Sequence, residues 1–188
     1  MPERPDTSDG VGAGSTMREV LARFPGAQRA LFRRYHIGGC SSCAFQPEET
    51  LAQVCQRNGN LNVEEVLNHV RASHAEDERL FIGAQELAAM RQQDPALRLV
   101  DVRSREEFEA VHIEGSVLLS QPVMREIMAE GTNTRPLIII DHQGRHGLDA
   151  AAYFLGHGLQ QVRCLRGGID AWSREVDPKL PRYRVDKT

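Results

Sequence analysis

Residues 137–147 read LIIIDHQGRHG, an apolar run that changes abruptly into a polar loop. The run Leu137–Ile140 is short and rich in β-branched residues, which is typical of a strand in a parallel sheet buried on both faces. Residues 97–102, LRLVDV, have the same character. The polar loop leads into a stretch with helical character, AAAYFLGHGL. The sequence therefore predicts a buried strand, a loop at its carboxyl end and a following helix.

Helical stretches lie between and after these strands. They are predicted over Ala84–Gln92, Glu106–Val111, Met124–Ala129, Leu148–Gly156 and Ile169–Glu175. Cys164 falls on a predicted final strand. Strands that alternate with helices indicate an α/β domain with a parallel sheet flanked by helices.

The preceding part of the chain, residues 15–72, has helical spacing instead. Apolar residues recur at i, i+3, i+4 and i+7 from Met17, and Thr16 and Glu19 have capping-box spacing. Further helices are expected over residues 27–35, from Pro47, and after Asn62 as a cap. This predicts a small all-helical unit with a thin core, which a bound metal or the neighbouring domain could support.

These differences divide the sequence into four segments. Residues 1–14 are rich in Pro, Asp, Ser and Gly and are expected to be a disordered tail. Residues 15–72 form the cysteine-containing helical domain, and residues 80–185 form the α/β domain. The polar segment SHAEDER, residues 73–79, is the natural boundary, as a linker or a frayed helix end.

The overall charge argues against some classes of partner. The formal net charge is -3, so the chain has no general attraction for nucleic acid or an anionic membrane. The basic residues 29–34 are interpreted as a solvated helix face. No secretory signal or membrane-spanning run is recognisable, so a cytoplasmic location is expected. There the four cysteines would be mostly reduced and should not be read as a disulfide scaffold.

Three motifs, in order, give the α/β part a family likeness. The first is Asp101-Val102-Arg103 with Glu106, Phe108 and residues 112–116, HIEGS. The second is the strand, loop and helix that begin at Leu137. The third is residues 165–172, LRGGIDAW. Together they resemble the rhodanese family, which implies the rhodanese fold over roughly Leu80–Tyr183.

The loop after Ile140 departs from the rhodanese pattern, which is approximately C-x-x-G-x-R-[ST]. Here the loop is Asp141, His142, Gln143, Gly144, Arg145, His146 and Gly147. Only the glycine is retained. Asp141 stands at the cysteine position, His146 at the arginine position and Gly147 at the Ser/Thr position.

In the family this loop surrounds the cysteine sulfur with backbone N–H groups and a helix N-terminus, which together stabilise a thiolate or persulfide. A carboxylate cannot carry a sulfane sulfur, so thiosulfate sulfurtransferase activity is not expected. One interpretation is that Asp141 fills the N–H nest as a fixed anion. Alternatively, Asp141, His142 and His146 form a metal or acid–base site, or the loop contacts a protein partner or small anion through Arg145 and the two histidines.

Other motif residues are interpreted as structural. By resemblance, Asp101 and Arg103 hold the loop from beneath, and His112 shapes the sheet edge. Trp172 is expected to pack the last helix on the core. Cys164, in a strand, is expected to be a buried small hydrophobe.

The helical part carries Cys40 and Cys43 as a C-x-x-C at a glycine-rich turn, with Cys55 further along. A turn that precedes a helix favours thiolates, so Cys40 and Cys43 are candidates for redox or sulfur-carrying chemistry. With Cys55 they are also candidate ligands for zinc or an iron–sulfur cluster, although a fourth ligand is not evident. This part resembles a small bacterial helical domain, sometimes joined to redox or sulfur-handling domains.

Three functions follow from these features. The first is an accessory or binding module in sulfur, redox or iron–sulfur metabolism, without sulfurtransferase activity of its own. The second is a sulfur-relay or redox enzyme that uses Cys40 or Cys43. The third is a metal or iron–sulfur protein in which dimerisation completes the ligand set.

Overall fold

A computed structural model describes residues 10–39, 44–94, 96–130, 135–144 and 146–183. The chain divides into two units, Met1–Arg79 and Leu80–Thr188. No helix in the described ranges is long and apolar enough to cross a membrane.

The described residues of the first unit form four helices, α1 Met17–Arg23, α2 Ala27–Tyr35, α3 Leu51–Arg57 and α4 Val63–Glu78. Capping boxes open α1 at Thr16 and α3 at Thr50, and the Asn62 side chain accepts hydrogen bonds from the backbone at the start of α4. Their apolar faces share one core that includes the fully buried residues Met17, Val20, Leu31, Leu51 and Val54. The helical spacing therefore gave the correct class of structure for this unit.

Three boundaries of the helical unit differ from expectation. The third helix begins at Leu51, not at Pro47, because the carbonyls of Pro47 and Glu49 accept hydrogen bonds from the start of α1. The tail expected over residues 1–14 does not include residues 11–13, since Val11 is buried in the core and the Ala13 carbonyl accepts from α3. Residues 73–79, expected to be a linker or a frayed helix end, are the end of α4 through Glu78, where Asp77 is buried and paired with Arg29 at 2.7 Å.

The described residues of the second unit form a five-stranded, all-parallel sheet flanked by helices. In chain order its elements are β1 Phe81–Ile82, α5 Ala84–Gln93, β2 Arg98–Asp101, α6 Arg105–Ala110, β3 Ser116–Leu118, α7 Gln121–Ala129, β4 Leu137–Ile140, α8 Gly147–Gly156, β5 Val162–Leu165 and α9 Gly168–Glu175. The strand order is β1-β5-β4-β2-β3, so β4 is central. The predicted α/β fold with a parallel sheet is confirmed.

The side chains of β4 alternate between two cores. Ile138 and Ile140 pack with Trp172 on one face of the sheet. Leu137 and Ile139 pack with Phe154 on the other. Burial on both faces explains why β4 is apolar at every position. Because β4 is the central strand, the loop after Ile140 begins in the middle of the carboxyl edge of the sheet.

We expect Phe154→Ala to destabilise the second unit by about 3–5 kcal/mol, because Phe154 is fully buried on α8 and truncation leaves a cavity. Denaturant unfolding can be followed by fluorescence of Trp172, the only tryptophan in the chain and part of the same unit. Tyr153→Ala is the matched control, since Tyr153 directly precedes Phe154 on α8 and is 44% exposed. Equal losses in the two variants would contradict the described packing of α8.

Candidate functional site: the loop after β4

Asp141 begins the loop and its side chain is turned inward. The residue is only 4% exposed. One carboxylate oxygen accepts a hydrogen bond from the Gly144 N–H. The other accepts from the N–H groups of His146 at 2.7 Å and Gly147 at 3.1 Å. His146 and Gly147 start α8, so the carboxylate lies where a helix N-terminus and a turn present N–H groups to an anion.

The first turn of α9 holds the loop through backbone hydrogen bonds. The Asp141 carbonyl accepts from the Ile169 N–H at 2.9 Å, and the His142 carbonyl accepts from Asp170 at 3.2 Å. Gly144 has φ +78°, and a Cβ there would lie 2.7 Å from the Gly167 nitrogen. Gly168 has φ +58°, and a Cβ there would lie 2.4 Å from the Asp141 carbonyl oxygen. Both glycines are required because two backbone segments meet with no room for a side chain.

A buried ion pair belongs to the adjoining strand. Asp101 ends β2 and is in register with Ile140, the last residue of β4. Its carboxylate lies 2.6 Å from the Arg103 guanidinium, and the two side chains are 0% and 2% exposed. Arg103 also donates to the Val111 carbonyl at 2.7 Å. Burial alone would lower the pKa of Arg103, but its hydrogen bonds to Asp101 and Tyr183 raise that pKa above its ordinary value.

Tyr183 joins this ion pair to the loop. Its hydroxyl accepts from Arg103 at 2.6 Å and donates to Glu107 at 2.8 Å. Its ring meets the His142 ring edge-on, with centroids 4.5 Å apart. Burial and the hydrogen bond to Glu107 raise the pKa of Tyr183 to about 12, outweighing the opposing effect of Arg103. Sequence reasoning missed this contact, because Tyr183 lies in a short polar segment after α9 that has no periodic pattern.

The other loop side chains differ in exposure. Gln143 and His146 are exposed and His142 is half-buried, while Arg145 lies outside the described residues. The His142 Nδ1 atom is buried and has no hydrogen-bond partner in the described part of the chain. Among the described residues, no group of His, Cys, Asp and Glu could hold a metal ion. Asp141, His142 and His146 therefore form no metal-binding cluster.

Comparison with known proteins agrees with this geometry. Residues 83–175 match the family model of the rhodanese-like domain. The thiosulfate sulfurtransferase GlpE of Pseudomonas syringae pv. syringae (strain B728a) is 33% identical over 91 residues, which cover 48% of this chain and 84% of GlpE. The chain belongs to the rhodanese-like family.

Two further matches extend the comparison. The adenylyltransferase and sulfurtransferase UBA4 of Candida albicans is 24% identical over 169 residues, or 85% of this chain. The chain spans only 38% of the length of UBA4. The crystal structure of a rhodanese-like domain protein from Staphylococcus aureus has a TM-score of 0.44 and 21% identity, covering 55% of this chain and 98% of that protein.

Two of the four cysteines belong to the described residues, and both are buried. Cys164 is fully buried on β5, which confirms its expected place on the last strand. Cys55 is 1% exposed in the helical core, where burial raises its thiol pKa. Cys40 and Cys43 lie outside the described residues, so their roles as redox, sulfur-carrying or metal-binding residues stay predictions. The same holds for a metal site that includes Cys55.

We expect Gly144→Ala to lower the free energy of unfolding of the rhodanese-like unit by more than about 2 kcal/mol. The alanine would combine a left-handed backbone with a collision against backbone atoms. Gly156→Ala is the control, because a Cβ at the end of α8 meets nothing within 4 Å. Its effect should be neutral or stabilising by up to about 1 kcal/mol. Equal effects of Gly144→Ala and Gly156→Ala on the free energy of unfolding would show that Gly144 is not packed closely against the Gly167 backbone.

Tyr183 should make stability depend on pH in the alkaline range. Its pKa is roughly 10 in an unfolded chain and about 12 in the folded protein. A raised pKa gives stability that is complete below the unfolded value and is lost as pH rises through the folded value. We therefore expect the stability difference between wild type and Tyr183→Phe to be constant below about pH 10 and to shrink above it. If the stability difference between wild type and Tyr183→Phe stays constant up to roughly pH 11.5, this result would contradict the Tyr183 hydrogen bonds.

Proposed function

We propose that this chain is an accessory or binding module in sulfur, redox or iron–sulfur metabolism, and that its rhodanese-like unit transfers no sulfur itself. The observation that carries the proposal is the Asp141 carboxylate, held by three N–H groups where the family pattern has its cysteine. Its setting in the cytoplasm rests on the sequence alone. Its activity, substrates and partners are proposals because the chain spans only 38% of the length of UBA4.

Sulfur transfer by a rhodanese needs a nucleophilic thiolate that takes up and returns one sulfur atom. The Asp141 carboxylate offers only oxygen atoms, and both oxygens already accept hydrogen bonds from the backbone. The N–H groups that would stabilise a persulfide are therefore occupied. The single cysteine of the rhodanese-like unit, Cys164, is fully buried and cannot take the place of the missing thiol.

The outer side of the loop is the surface we propose for binding. Gln143 and His146 are exposed there, and the sequence adds Arg145 between them. These side chains are neutral or cationic, so they suit a protein partner with an acidic surface, or a small anion. Asp141 accepts hydrogen bonds from the backbone of Gly144, His146 and Gly147. The loop can thus serve as a binding surface without a thiol at its centre.

We expect the wild-type protein to show no thiosulfate:cyanide sulfurtransferase activity, and Asp141→Cys to gain a reactive thiol. The three N–H groups should lower the pKa of that thiol below about 8.5, so that it takes up sulfur from a persulfide donor. The measurements are thiocyanate formation, alkylation rate against pH, and intact mass after incubation with the donor. Asp141→Ser is the matched control, because it has a similar side chain but no thiol.

One result would overturn the proposal directly. The wild-type loop could be tested in a variant with all four cysteines replaced, which leaves no thiol in the chain. Sulfurtransferase activity in that variant would show that the Asp141 loop is catalytic without a cysteine. Absence of activity in wild type, together with sulfur uptake located at residue 141 in Asp141→Cys, supports a cradle that has no nucleophile of its own.

A second candidate function places thiol chemistry in the helical unit. Cys55 and Cys164 are buried, so Cys40 and Cys43 are the cysteines left as candidates for an accessible thiol. We propose that they carry sulfur or electrons, or bind zinc or an iron–sulfur cluster. Incubation of the full chain with a persulfide donor should then add sulfur to Cys40 or Cys43 and not to Cys55, as read by peptide mass spectrometry.

Anaerobic purification with metal and sulfide quantification separates these two possibilities. Bound zinc or iron that Cys40→Ser removes would assign the pair to metal binding. A metal-free protein that gains sulfur at Cys40 or Cys43 would assign it to sulfur transfer. A metal-free protein that gains no sulfur and forms no disulfide would remove the second candidate and leave the first unaffected.

A further inference from the structure

Helices α2 and α4 of the helical unit pack side by side in opposite directions. Near one end of the contact, Arg29 and Asp77 form an ion pair at 2.7 Å with side chains only 16% and 11% exposed. Near the other end, the rings of Tyr35 and His69 meet edge-on at 5.7 Å. Arg29, early in α2, contacts Asp77, late in α4, whereas Tyr35, at the end of α2, contacts His69, earlier in α4. The two helices are therefore antiparallel, and side-chain contacts join them near both ends.

A cleft of about 450 Å³ lies along this helix pair. This volume is within the range of sites for small organic molecules. Ala30 contributes a small side chain to its lining. Charged or polar side chains come from both helices, namely Arg33, Arg34, His69, Ser73 and Glu76. The cleft thus combines a small apolar surface with several polar groups.

The helical repeat places Arg33 and Ser73 in the same relation to each other as Arg29 and Asp77. Arg33 lies one turn after Arg29 on α2, and Ser73 lies one turn before Asp77 on α4. The position opposite Arg33 therefore corresponds to that of Asp77 opposite Arg29, but it holds a hydroxyl in place of a carboxylate. Arg33 has no ion-pair or hydrogen-bond partner within the described ranges. A carboxylate placed there would give Arg33 the partner that Asp77 gives Arg29.

The other polar side chains of the cleft indicate which charges the ligand carries. His69 Nε2 lies 3.1 Å from the Ala30 carbonyl, and since a carbonyl only accepts, Nε2 is the donor. This bond fixes the His69 ring along the cleft. Arg34 adds a second cation, with its guanidinium 5.4 Å from the centre of the Tyr35 ring. Glu76, also on the lining, is the one carboxylate and has no ion-pair partner among the residues described. The cleft therefore offers cations and an anion together.

We propose that this α2–α4 cleft binds a small zwitterion, an amino acid or short peptide, with its carboxylate at Arg33 and Ser73 and its ammonium group at Glu76. The ligand carboxylate takes the place that Asp77 has beside Arg29. Arg34 adds positive charge at the carboxylate end. The site lies in the helical unit and does not depend on the function proposed for the Asp141 loop.

The dipeptide alanylalanine is the probe, titrated into the ¹⁵N-labelled full chain and followed by amide chemical shifts. We expect saturable shifts confined to residues 30–34 and 69–76. N-acetylalanylalanine lacks the ammonium group and alanylalanine amide lacks the carboxylate, so each should bind about tenfold more weakly. Absence of saturable shifts, or equal affinity for the three probes, would overturn the proposal.

Ser73→Asp is the decisive variant, because the introduced carboxylate should pair with Arg33 as Asp77 pairs with Arg29. We expect alanylalanine to bind at least about tenfold more weakly while the melting temperature is unchanged or higher. Arg33→Gln tests the same contact from the other side at an exposed position and should weaken binding similarly. Arg18→Gln is the matched control, since Arg18 is 69% exposed and pairs with Glu48. Wild-type affinity in both Ser73→Asp and Arg33→Gln would refute the site.

Discussion

The second unit depends on one interaction, the contact between the Asp141 carboxylate and the N–H groups of its own loop. The chain must turn sharply from the central strand β4 into α8, which leaves three N–H groups pointing at one buried point. Buried N–H groups without an acceptor are costly. The carboxylate satisfies all three and also places negative charge at the start of α8, where the helix dipole favours it. A single side chain thus stabilises the turn, the loop and the helix.

The surroundings of the loop are built to hold it in that shape. The first turn of α9 donates hydrogen bonds to the carbonyls of Asp141 and His142, and the glycines at 144 and 168 allow the two backbones to touch. At the end of the adjoining strand, the Asp101–Arg103 pair is withdrawn from water and would be costly if it were isolated. Further hydrogen bonds from Arg103 to Val111 and Tyr183 compensate for that burial.

The sequence predicted those parts of the fold that have a strong local pattern. The run Leu137–Ile140 was recognisable because burial on both faces makes every residue apolar. The strands β1 and β3 were missed because two or three residues are too few to show a period, and they are ordered by pairing with β5 and β2. The start of α3 was misplaced because the capping box at Thr50 outweighs the helix-opening tendency of Pro47.

The candidate site divides in the same way. The replacement of a cysteine by Asp141 could be read from the loop pattern, and so could the structural importance of Asp101 and Arg103. The position of Tyr183 could not, because it depends on how the segment after α9 folds back over His142. Likewise, the cleft between α2 and α4 arises from packing of two helices, and Arg33, which has no partner among the described residues, is indistinguishable in sequence from any other surface arginine.

Asp141 also changes how the loop responds to its surroundings. A thiolate at this point would alter its charge, size and hydrogen bonding whenever it was oxidised, alkylated or loaded with sulfur. A carboxylate has no comparable chemistry, and the one cysteine of this unit, Cys164, is sealed inside the sheet. The Asp141 position therefore carries no side chain that a change of redox state could modify.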